Sequence, residues 1–155
     1  MLVDLVFQYR TLLGKCDLGC GLDWDEIEAM SGLEATFAPG SDDARTSKGG
    51  RRFRREKTTV SAMMRGDQIN DRVEIVELGL GGLVARNAPF IARGEHVELV
   101  IESGDISYRF HALGVWLTDD GDDYRVGLQL IGMPVRLHRA AISEHVADIV
   151  DKVAA

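Results

Sequence analysis

Proline is scarce, at three in 155 residues, and no apolar run approaches the ~20 residues needed to cross a bilayer. No membrane span is expected. Cysteine is scarcer still: Cys16 and Cys20 form a single C-x3-C with no second Cys/His pair, too few donors for a closed zinc site. In a helix the two would lie one turn apart, as small buried hydrophobes or free thiols. The four histidines (His96, His111, His138 and His145) are scattered, so no metal centre is expected. The chain has no G-x-S-x-G, no Walker loop and no H-E-x-x-H, and no carboxylates paired in a catalytic pattern. Neither an enzyme nor a resident cofactor is indicated. The opening MLVDLVFQYR carries Asp4 and Arg10 and lacks a basic leader, so export is not expected and a cytoplasmic chain is.

What is present suits one globular domain with a short extension: 45% of residues are apolar and 28% charged. The net charge of −7 argues against nucleic-acid binding, but it is unevenly spread. Residues 44–57, ARTSKGGRRFRREK, hold seven bases and one acid, a local +6, which leaves −13 for the remainder. A compact basic patch on an acidic body suits a small anionic ligand or an acidic partner better than a long polyanion.

Apolar residues Leu2, Leu5, Val6, Tyr9, Leu12, Leu13 and Cys16 recur at helical spacing, and Gly19 and Gly21 break the pattern. Asp23 then caps a second helix, with Glu26 placed to reach back to it and Ile27, Met30 and Leu33 as its apolar face. Residues 1–38 thus predict a helical hairpin, able to pack on its own domain or on the hairpin of a second copy as a homodimer. Residues 39–50, rich in Gly, Ser and charge, read as a mobile linker. Residues 51–155 form the main domain. Here the period becomes two, with candidate strands at 58–64, 73–78, 82–86, 96–102, 106–117 and 124–131. Asp120-Gly121 and Ser103-Gly104-Asp105 supply hairpin turns. Six short strands at regular spacing predict a mainly β fold, a six-stranded antiparallel barrel in which closure removes exposed edges. Pro134 is expected to end the last strand, and residues 135–153 to form a C-terminal α-helix across one flank.

Two segments carry the candidate chemistry. Arg51-Arg52-Phe53-Arg54-Arg55 precedes the first strand, and Glu77-Leu78-Gly79-Leu80-Gly81-Gly82 turns the second strand into the third. The planar guanidinium forms paired, charge-assisted bonds to phosphate and stacks on bases. Glycines admit a ligand close to the backbone, through a bulge or positive φ, and a carboxylate can accept from the edge of guanine. Phe53 reads as an anchor for its segment, and Trp116 and Tyr124 as strand residues in cross-strand or core contacts. Trp24, at the start of the second helix, is a candidate partner contact.

In these residues the chain resembles the PilZ family, bacterial receptors for cyclic di-GMP. The resemblance covers roughly residues 51–133: the R-x-x-x-R opening (Arg51, Arg55), then IVELGLGGL, ALGVWL and YRVGLQL in that order. It implies a six-stranded barrel with a C-terminal helix, two arginines that grip phosphates and stack on guanines, and a second motif that holds a guanine edge. That motif is Asp or Asn, any residue, Ser, two residues, Gly. Here Glu77 and Gly79 stand at its first and third positions and only Gly82 matches. Each polar group left unpaired in a dry site costs about 1–3 kcal/mol. The ligand-binding set implied is Arg51, Arg52, Arg55, Glu77, Gly79 and Gly82, with its phosphate side kept and its base-reading side degraded. The resemblance implies a regulatory adaptor in second-messenger signalling, set in motility or surface behaviour. It would act through a protein partner, such as a motility or polarity component, with weak or absent cyclic di-GMP binding. The alternative is a functional cyclic di-GMP receptor using Arg51, Arg55 and the turn at 77–82.

Overall fold

A computed structural model of the chain describes residues 2–39 and 52–138. Most of the expected linker, the remainder of the expected C-terminal helix beyond 138, and Arg51 lie outside the described residues.

Two helices come first. Helix α1 (Leu2–Asp17) ends in a turn in which Gly19, at φ 75°, sends its amide to Cys16 O while Cys20 donates to Lys15 O, each at 3.0 Å. Cys16 and Cys20 are both exposed free thiols, not buried hydrophobes, because the helix ends in solvent there. Helix α2 (Trp24–Thr36) starts with the expected capping box. Asp23 Oδ1 accepts from Glu26 N at 2.8 Å, and Glu26 Oε1 accepts from Asp23 N at 3.2 Å.

Six antiparallel strands follow: β1 (Glu56–Arg65), β2 (Asn70–Leu78), β3 (Gly82–Ala88), β4 (His96–Ser103), β5 (Ile106–Asp120) and β6 (Asp123–His138). They close into a barrel in the order β1-β2-β3-β6-β5-β4. Each of the six expected strands is present, and each is longer than expected. The two expected hairpin turns are two-residue loops whose first member, Gly104 or Gly121, has positive φ (60° and 80°). Inward residues alternate along the strands: Ala62 and Met64, Val97, Leu99 and Ile101, Val126, Leu128 and Leu130 are all buried in one core. Trp116 lies across from Gly127 in a cross-strand contact, and Tyr124 packs against the core and edge-on to Phe90 in the loop after β3.

Pro134 does not end β6. The strand continues to His138, so residues 135–138 are extended and not helical. The pairing shows why: Ile131 faces His111 and Val135 faces Arg109, so three residues of β6 stand against one of β5. Within this bulge Gly132 takes φ 66°, and a proline costs no ladder bond where the ladder is already interrupted.

The bulge is also where the hairpin docks. Arg10 Nη2 donates to Gly132 O at 3.3 Å, and Gly14 leaves room for the Met133 side chain. Val3, Val6 and Tyr9 enter the barrel's own core, so α1 packs on its own domain. The buried stripe is rotated toward Val3 and Arg10 from the Leu12–Cys16 side. Helix α2 is thinly attached: Leu33 is buried, whereas Ile27 is 41% and Trp24 81% exposed.

Candidate anion site

A bulge in β2 shapes the site. Ile75 pairs with Ala85 and Glu77 with Val84, so Val76 is an extra residue on β2. The inward set therefore shifts from Val73 and Ile75 to Leu78 and Leu80, all buried. The turn after β2 is closed by Gly79 N donating to Gly82 O at 2.9 Å. It is tied to β6 by Leu130 N donating to Gly81 O at 2.9 Å. With Leu80 fully buried beneath it, this turn is a rigid platform.

None of Gly79, Gly81 and Gly82 has positive φ, so the freedom expected of them is not what they supply. They supply space. A Cβ on Gly82 would stand 2.7 Å from Arg55 Nη2 and 2.7 Å from Leu128 O. One on Gly79 would stand 3.0 Å from Arg55 Cγ and 3.1 Å from Arg54 O. The Arg55 side chain thus lies along the glycine turn, and the two segments singled out in the sequence are in contact.

The rest of the arginine segment is fastened to the helices. Arg54 N donates to Phe37 O at 2.8 Å, and its guanidinium donates twice to Thr36 O, from Nε at 3.2 Å and Nη2 at 2.9 Å. It also pairs with Glu56 and lies 5.8 Å from the Phe37 ring centroid. These bonds satisfy carbonyls at the C-terminus of α2, where a cation is favoured. Phe53 is the anchor expected, packed edge-on to Tyr9 of α1 at 5.5 Å. Arg52 stacks over Phe53 at 5.2 Å and reaches Glu34 Oε1 at 3.5 Å. Glu34 Oε1 in turn accepts from the Tyr9 hydroxyl at 3.0 Å. Burial, and then this bond to Glu34, push the Tyr9 hydroxyl up to about 12.

Arg52, Phe53, Arg55 and the four residues of the 79–82 turn line one cavity of about 170 Å³. Glu77 is not among them: it lies opposite Lys57 and Val84. Because Leu78 points into the core, its neighbour Glu77 projects from the other face of the sheet. The set expected from sequence therefore divides. Arg52, Arg55, Gly79 and Gly82 come together, Glu77 stands apart, and Arg51 lies outside the described residues. Sequence reasoning missed Glu34, Tyr9 and the carbonyl end of α2. No motif marks them, since they meet the arginines only through tertiary packing.

The remaining features are of another kind. No helix of the described residues is long and apolar enough to cross a membrane. Among the same residues no group of three His, Cys, Asp or Glu is placed to hold a metal ion. A scan against protein-family models finds no match, and neither does a search of curated proteins.

Proposed function

We propose that the chain is a non-enzymatic regulatory module of the PilZ kind, whose arginine–glycine site takes phosphate-bearing ligands weakly and which acts through a protein partner. The observation that carries this reading is the convergence of Arg52 and Arg55 on the 79–82 turn while Glu77 stays outside the cavity. Guanidinium groups on a glycine platform suit a phosphate. No carboxylate among the described lining residues accepts from a base edge. The cavity, about 170 Å³, is also below the ~300 Å³ at which small-molecule sites usually begin. A dinucleotide held by phosphate contacts alone forfeits the contacts that would select guanine, about 2–4 kcal/mol for two imperfect ones. The partner surface is the exposed tip of the hairpin, where Leu18 is 70% and Trp24 81% exposed.

A second reading, a working cyclic di-GMP receptor, draws support from the seating of Arg55, one of the two arginines of the implied phosphate grip, on the turn. Calorimetric titration of the full chain with cyclic di-GMP separates the two. Affinity weaker than micromolar is expected. A micromolar or tighter Kd with whole-number stoichiometry overturns the adaptor reading in favour of the receptor.

A further inference from the structure

We propose that Glu34 is a built-in competitor for the anion site: its carboxylate holds Arg52, and an anion entering the cavity must take Arg52 from it. This rests on the reading of the arginine–glycine cavity as a phosphate site. Arg52 lines that cavity, yet its Nη2 is directed to Glu34 Oε1 at 3.5 Å. A carboxylate and a phosphate offer a guanidinium the same thing, negative charge on oxygen in forked geometry, so the two acceptors exclude one another at one donor edge.

The surroundings make Arg52 the arginine that can change partners. Arg54 is fixed by its backbone bond to Phe37 O, two bonds to Thr36 O and the pair with Glu56, so it anchors the segment and does not swing. Phe53, wedged on Tyr9, holds the backbone beside Arg52 while the Arg52 side chain stays largely in solvent. Glu34 has a second tie: the Tyr9 hydroxyl donates to the same oxygen at 3.0 Å. When Arg52 leaves, the carboxylate keeps that donor and its access to water, so release leaves no buried charge unpaired. The exchange is therefore cheap. An exposed ion pair is worth only ~0.2–1 kcal/mol, and a competitor of that size shifts affinity by about 1.4- to fivefold.

The test is calorimetric titration of the full chain at physiological ionic strength with two probes, cyclic di-GMP and inorganic pyrophosphate. The latter carries the phosphate chemistry without a base. Glu34→Gln keeps an acceptor for Tyr9 and removes the charge. Glu34→Asp keeps the charge and shortens its reach. Both are expected to bind pyrophosphate about 1.4- to fivefold more tightly than wild type, and the gain is expected to vanish in an Arg52→Gln background. A gain that survives Arg52→Gln would mark a general charge effect and overturn the proposal. So would unchanged or weaker pyrophosphate binding in variants whose melting is normal. If pyrophosphate tightens while cyclic di-GMP is ignored throughout, the competition stands and the nucleotide reading fails. If cyclic di-GMP binds and neither probe tightens, the nucleotide reading stands and the competition falls. Absence of binding by either probe to any variant overturns both.

Discussion

At Gly82 a single hydrogen decides whether Arg55 can lie on the turn. A methyl group there would meet the Arg55 guanidinium and the Leu128 carbonyl, both at 2.7 Å, and the carbonyl belongs to a buried strand that cannot step aside. Gly82→Ala is therefore expected to lower stability by about 1–3 kcal/mol, the range for overpacking, and to displace Arg55. Thermal melting reads the first effect; loss of pyrophosphate affinity reads the second. A variant that melts like wild type would show that the turn and β6 separate without cost. Gly79 is tighter than it looks in sequence. Restoring a serine there, the obvious repair of the second motif, brings Cβ to 3.0 Å from Arg55 Cγ and 3.1 Å from Arg54 O. The arginine stem can yield, but the Arg54 carbonyl is part of a backbone pinned to Phe37 O. Gly79→Ser is expected to cost about 1 kcal/mol by melting, through crowding and not through φ. The contact that excludes a hydroxyl at 79 is thus the one that seats the arginine.

At the scale of elements, α1 is fixed at its first turn by polar contacts that the apolar stripe does not announce. Asp4, in its first turn, accepts from the Tyr108 hydroxyl at 3.0 Å and from Arg136 Nη1 at 3.1 Å. Burial alone would raise its carboxyl, but the bonds from Tyr108, Gln8 and Arg136 outweigh it and hold the group below the usual carboxylate range. The sign follows from linkage. A folded-state value below the unfolded one means Asp4 contributes fully above about pH 4. That contribution is lost as pH falls through the lower folded value. Asp4→Asn is expected to cost about 1 kcal/mol or less at pH 7, since solvent screens these half-exposed partners. It should leave the acid-unfolding limb of a stability–pH profile shallower than in wild type, and an unchanged profile would contradict the assignment. Much of this level was legible in advance. Asp23 and Glu26 announced their capping box, and the period of two from residue 58 onward announced the strands. Pro134 misled because its effect depends on whether its amide faces a partner, and the bulge opposite Phe110 is set by pairing with a distant strand. The rotation of the α1 stripe was hidden for the same reason: only the docked sheet chooses Val3 and Arg10 over Leu12 and Cys16.

For the whole molecule, the hairpin and the barrel are one packing unit. The site was legible as far as covalent neighbours reach, in Arg52 and Arg55 and in the glycines of the turn. It stopped being legible where α2 came round to meet them, because nothing local in Tyr9, Glu34 or Phe37 records a neighbour 17 to 25 residues away. Those contacts make a prediction about the chain as an object. Val3, Val6, Tyr9, Leu33 and Phe37 lie in the same core as the barrel strands. Burying a large apolar side chain is worth roughly 1.5–3 kcal/mol, so removing five such residues withdraws an amount comparable to the ~5–15 kcal/mol stability of an ordinary domain. The loss also strips Arg52, Phe53 and Arg54 of every contact they make with the helices. A chain beginning at residue 39 is therefore expected to melt far below wild type or to expose its core, read as strong binding of an apolar fluorescent dye. It should also lose whatever affinity the site has for pyrophosphate. By contrast, Trp24→Ala with Ile27→Ala removes side chains already in solvent and is expected to leave melting within about 0.5 kcal/mol of wild type. A truncated chain that melts cooperatively near the wild-type temperature would show that the barrel closes unaided and that the hairpin is an appendage. The close fit of Gly14 on Met133 and of Arg10 on the Gly132 carbonyl argues the opposite, since both meet β6 at the bulge where its own ladder is broken.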